Sequence, residues 1–295
     1  MRRMTLLFLF LGFFWGTFPS PSQVSQKERD ALVELYDSTQ GKQWELSWDL
    51  SAPVEGWHGV QVQDGHVVGI TLIMNELKGN LPESLGDLEH LTTLNLAFNQ
   101  ISGPLPQRFP ELGKLKFCRL EMNRIQGKLP DNIGNLRSLE VFSMFNNYLT
   151  GPIPQSVGEL SGLKELNLSS NLLEGRIPES IGNLVHLELL GFFDNKLEGG
   201  IPAEIGKLGN LRELVLANNH LGGEIPREFA QLAKLEILQL QHNRFSSYTG
   251  LEQMDTAQFL VFDSDNKALA PGRNTDSYNR TRMADTKFED ENEKP

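Results

Sequence analysis

Asparagine recurs every 24 residues without a slip, at Asn75, Asn99, Asn123, Asn147, Asn171, Asn195, Asn219 and Asn243. A fixed period of this size over more than half a chain means stacked copies of one structural unit. Such a chain forms an extended surface far more readily than the enclosed pocket of an enzyme. The rest of the sequence is best understood by counting from these asparagines.

Five and three residues before each one lie apolar pairs, among them Leu94/Leu96, Cys118/Leu120, Phe142/Met144 and Leu214/Leu216. Alternation with period two predicts a short strand with one buried face in every repeat. Another apolar residue follows two positions after the Asn, and Gly follows four positions after it in seven repeats, from Gly79 to Gly223. A Leu-Pro or Ile-Pro pair then closes the turn. Gly permits a bend that a Cβ would hinder, and Pro cannot donate to a ladder, so it keeps its segment out of the sheet interior. The Asn amide can satisfy unpaired backbone groups of the bend, and stacked copies can form a ladder. No repeat can bury its leucines alone, so all must share one continuous core.

The segment Leu163–Pro178, LKELNLSSNLLEGRIP, carries the pattern almost intact. It resembles the plant-type leucine-rich repeat, and in-phase copies extend the resemblance over residues 66–250. The resemblance implies an α/β solenoid, a leucine-rich-repeat superhelix of about eight 24-residue repeats with a parallel β-sheet on its concave face. Families of this type include receptor-kinase ectodomains and secreted inhibitors of wall-degrading polygalacturonases.

Both ends depart from the period. Residues 1–22 place Arg2 and Arg3 before an uncharged, mostly apolar run to Phe18 and a small-residue exit, the layout of a signal peptide. The run is short of the ~20 apolar residues that a membrane helix needs, with an uncleaved anchor as the alternative. Residues 26–65 read as an N-terminal cap. Ala31, Leu32, Leu35 and Tyr36 share a helical face, Gly41 is a plausible stop, and three tryptophans supply covering surface. Asp64-Gly65 marks a hairpin turn. Trp57-His-Gly-Val60 looks like the cap signature of plant-type repeats, whose caps also carry cysteine pairs; here they are absent. The sole cysteine, Cys118, stands at a buried strand position, where it packs as a small hydrophobe. Residues 251–264 read as a C-terminal cap and 265–295 as a disordered polar tail.

Composition excludes several functions. The net charge of -11 speaks against nucleic-acid binding. Phosphate-binding loops, His-x-x-x-His and paired-Cys spacings are missing, so no metal and no cofactor is expected. A glycosidase needs two carboxylates about 5–9.5 Å apart. Glu121 and Asp194, three strands apart, stand about 14 Å from one another at ordinary strand spacing. No enzyme is expected. Seven residues before successive asparagines the charges alternate, Lys116, Glu140, Lys164, Glu188, Arg212 and Glu236, a lateral ladder that fixes register.

Specificity is expected in the lanes four, two and one before each Asn, which point away from the core. Phe145 and Phe193 are large aromatics among mostly small residues there. With Arg119, Glu121 and Asp194 they define a candidate ligand patch across repeats three to six; the competing expectation is that the rings tuck against their neighbours. Two glycosylation sequons occur, at Asn167 and Asn279, the first beside the patch. The chain is expected to be a secreted, extracellular recognition module for a protein, peptide or glycan, with a signalling co-receptor as a further candidate partner. Nucleic acid and stable membrane insertion are not expected. The alternatives are a secreted inhibitor of a cell-wall-degrading hydrolase and a receptor-like protein tethered by its N-terminal segment.

Overall fold

The computed structural model describes residues 23–254 and 258–265. The signal-peptide reading of 1–22, the tail and the Asn279 sequon lie outside the described residues.

The chain enters through one α-helix, α1 (Gln26–Ser38), with Ala31, Leu32, Leu35 and Tyr36 on its buried face. Ser25 caps it, accepting from the Glu28 N–H at 3.3 Å. The helix stops at Thr39, and Gln40 then adopts a left-handed backbone, φ 60°. Gly41 is needed for a different reason from the expected stop, because a Cβ there would collide with the Tyr36 ring. Trp44 meets Tyr36 edge-on, and Trp48 stacks on Trp57 at 4.8 Å. Each indole N–H of this cluster donates to a backbone carbonyl: Trp44 to Thr39, Trp48 to His58 and Trp57 to Ala52. The hairpin follows as β1 (Val60–Gln63) and β2 (His66–Thr71), joined by Asp64 and Gly65, both at positive φ.

From β2 onward the main sheet grows in sequence order. Strands Thr93–Asn95, Phe117–Arg119, Val141–Ser143, Glu165–Asn167, Leu189–Gly191, Glu213–Val215, Ile237–Gln239 and Val261–Asp263 each pair in parallel with the last. Register is strict: Leu166 pairs with Phe142 on one side and Leu190 on the other. The residues five and three before each Asn from Leu94 onward point inward and are fully buried, Cys118 included. Burial in this apolar column pushes the Cys118 thiol well above its ordinary range.

The structure adds a second sheet that the sequence pattern did not reveal. Eight short strands, from Lys78–Asn80 to Arg244–Ser247, also pair in parallel and in order, with turns at the repeated glycines. Short 3₁₀ segments such as Glu83–Asp87 and Glu179–Asn183 close each turn of the solenoid and pack on the next copy. The core therefore runs as one column through the whole stack.

The asparagines brace this column by bonding backbone rather than one another. The Asn171 Nδ2 donates to Leu168 O and Ser169 O in its own repeat and to Met144 O one repeat earlier, at 3.0–3.1 Å. Its Oδ1 accepts from the Leu149 N–H at 2.9 Å. Asn99, Asn123, Asn147, Asn195, Asn219 and Asn243 repeat this pattern. Asn75, first in the series, instead holds the Leu46 N–H and carbonyl of the cap. The charge ladder closes in alternate pairs, Lys164–Glu140 at 2.8 Å and Arg212–Glu236 at 2.9 Å. Such exposed pairs are screened by solvent and set register more than they add stability.

Candidate recognition surface

The open face of the main sheet displays the lanes four, two and one before each Asn. In all eight repeats the residue immediately before the Asn is left-handed, from Met74 at φ 51° to His242 at 57°. Met, Phe and Ser do not favour this region, so the surrounding hydrogen bonds must hold them there. In Phe98, for example, the N–H donates to Glu121 O, while the Asn99 amide grips Leu96 O and Ala97 O on its chain-earlier side.

Arg119 lies on this face and is already engaged. Its guanidinium reaches Glu121 at 3.5 Å and spans one strand to Glu165 at 3.1 Å. Ser143, on the strand between, is buried. Glu121 is largely enclosed, its Oε2 buried without a hydrogen bond. Burial raises its carboxyl above the usual carboxylate range, a push that the Arg119 charge only partly offsets. Asp194 is bonded by the Asn218 side-chain amide.

The two phenylalanines stand in one lane, with Ser169 between them. Both are half-buried rather than solvent-directed. Ser169 is 0 % exposed, like several small residues of these lanes. Its Oγ also accepts from the Phe193 N–H at 3.1 Å. The sequence pattern missed a different apolar exposure at the other end of the face. Ile73, Met74 and Phe98 are 43 %, 66 % and 46 % exposed, beside Leu46 of the cap. Their signal was available, since Ile73, Met74 and Phe98 occupy the same outward lanes.

Asn167 corrects a sequence expectation. Its side chain is 5 % exposed, and its Oδ1 accepts from the Ser169 N–H at 3.1 Å. Gly191 on the next strand makes room for it, because a Cβ there would come 2.8 Å from that oxygen. The folded chain leaves no space for a glycan on this amide.

Stacked parallel strands, the internal asparagine brace and the left-handed residue before it define a leucine-rich-repeat solenoid. Residues 72–176 match the family described as a leucine-rich repeat region, and residues 210–232 match the leucine-rich repeat itself. Receptor-like protein 3 of Arabidopsis thaliana is 31 % identical over 93 residues, 30 % of this chain and 12 % of that protein. Polygalacturonase inhibitor 1 of the same plant is 29 % identical over 123 residues, 40 % of this chain and 37 % of the inhibitor. The solved plant peptide hormone receptor RGFR1, in complex with RGF2, superposes with a TM-score of 0.62 at 38 % identity. That match covers 66 % of this chain and 32 % of the receptor chain. The chain thus spans well under half the length of each of these proteins. Among the described residues no helix is long and apolar enough to cross a membrane.

Proposed function

We propose that this protein is a non-enzymatic, extracellular recognition module that binds a peptide or protein on the concave, open face of its main sheet. The observation that supports it most is the pair of half-buried phenylalanines, Phe145 and Phe193, set between the Arg119–Glu121–Glu165 ion pairs and Asp194. Rigid aromatics beside ordered charges are the composition of binding hot spots, and they need little reordering to bind. The similarity to a receptor captured with its peptide hormone supports the same reading. Inhibition of a wall-degrading hydrolase is the second reading, favoured by the likeness to polygalacturonase inhibitor 1. In either case the face acts by capture, and signalling falls to a partner.

The test is affinity capture from extracellular extract with the intact chain, compared with the double variant Phe145→Ser/Phe193→Ser. Loss of the captured partner by about tenfold or more, with an unchanged circular-dichroism spectrum, is expected from hot-spot aromatics. A partner held equally by both chains would place the binding surface elsewhere.

A further inference from the structure

Away from the recognition surface, three side chains from three separate elements converge where the cap meets the first repeat. Glu28 lies in the first turn of α1, His66 opens β2, and His90 sits in the bend that leads into the next strand. We propose that they bind a divalent transition-metal ion, with Zn²⁺ the best match to the donor set, and that the ion clasps the cap helix to the solenoid.

The ligand atoms of all three residues lie within 4.8 Å of one another. Glu28 is 4 % exposed, yet its one ion-pair partner among the described residues is the His66 imidazole, Nδ1 to Oε1 at 3.3 Å. The neighbouring cations are turned elsewhere. Lys27 pairs with Asp87 and Glu89, and Arg29 donates to Leu50 O and lies over the Trp57 ring. Neutral donors, the Ser25 hydroxyl and the Val67 N–H, complete the surroundings of the carboxylate. A buried carboxylate is stable when paired or when it coordinates a metal.

The chemistry of the donors selects the ion. Two imidazoles with one carboxylate suit zinc, which then keeps a fourth position for water, whereas calcium and magnesium demand oxygen throughout. Donors no farther apart than this stand at most about 2.8 Å from a common centre, so each must draw in by at most about 0.7 Å to reach zinc-bond length. The imidazole rings now stack face to face at 3.7 Å and 13°. Their lone pairs run side by side, so the stack must open until they converge. His66 has the freedom to do so, its side chain being 42 % exposed. The positive end of α1 opposes a cation, which makes the Glu28 charge the indispensable member.

A clasp here has a structural use. The chain has one cysteine, buried and free, so no internal disulfide can tie the cap down. An ion bridging residues 28, 66 and 90 would close two loops at once.

The experiment is calorimetric titration of the chelator-treated full chain with zinc chloride, with cobalt(II) as a visible-absorption probe and ring-proton magnetic resonance on the histidines. Expected are one ion per chain, low-coordinate cobalt bands, and shifts confined to His66 and His90. His90→Ala and His66→Ala should each weaken binding by about tenfold or more. His242→Ala, at the far end, should leave it unchanged. Absence of saturable one-to-one binding by the unaltered chain overturns the proposal, and so does an affinity in the two cap variants equal to that of the unaltered chain. An unfolding midpoint of His90→Ala in chelator equal to that of the parent separates lost ligation from lost fold.

Discussion

Asn171 offers the sharpest test of how this solenoid is held together. Replacing it by Ala removes three donated bonds and one accepted bond. All three carbonyls keep a partner, since Met144 O is also held by Asn147, Leu168 O by Asn195 and Ser169 O by the Asn146 N–H. The uncompensated loss is the acceptor for the buried Leu149 N–H. An orphaned buried N–H costs about 1–3 kcal/mol, so Asn171→Ala should destabilise by roughly that amount. Asn171→Asp keeps the acceptor but turns a carboxylate toward three carbonyl oxygens, and at pH 7 it should cost more than Ala. Its folded pKa would be raised by burial, so the native state binds the extra proton and stability returns as pH falls. Urea unfolding gives the global cost, and hydrogen exchange at the Leu149 amide isolates the local one. At tenfold per ~1.4 kcal/mol, protection there should fall by about fivefold or more. A cost below about 1 kcal/mol for Ala, or an Asp variant milder than Ala at pH 7, would refute the brace as the source of inter-repeat stability.

Three further outcomes follow from the open face. Gly191→Ala should destabilise by about 1–3 kcal/mol through contact with Asn167 and Ser169, and Asn167→Ala in the same chain should recover much of it; strictly additive costs in urea would contradict the contact. Because the Glu121 carboxyl is raised, the native state holds its proton to higher pH than the unfolded chain, and this group's effect on stability becomes adverse as pH rises through that window. Glu121→Gln should therefore raise the thermal midpoint relative to the parent at pH 7 and give little gain near pH 4, measured by differential scanning calorimetry. In protein secreted from a glycosylating host, peptide mass mapping should find Asn167 unmodified; a glycan there would mean that its pocket is not closed.

The main sheet was legible because two signals coincide in every repeat, the alternating apolar pair and the Asn that ends it. The second sheet was not, since its strands run only three to five residues and end at a glycine that reads simply as a turn. The lanes could be assigned from strand alternation, but exposure within a lane could not. Phe145 and Phe193 are half-buried, whereas Met74 and Phe98 in outward lanes of the same face are exposed. Asn167 looked accessible for the same reason, and only Gly191 on the neighbouring strand explains its burial. Glu28, His66 and His90 carry no shared spacing in the chain. Their meeting depends on how the cap docks, which no local pattern encodes.

The left-handed residue before every Asn separates address from content. Its backbone is fixed by bonds that never involve its own side chain, so its Cβ leaves the sheet in the same direction whether the residue is Met, Ser, Asp or His. Exchange of that side chain changes what the face presents without moving the rail that presents it. A partner therefore meets eight evenly spaced positions. Met122 with Asn146 and Asp194 with Asn218 are joined by side-chain bonds and change as pairs, while the others can be altered one repeat at a time without disturbing the core.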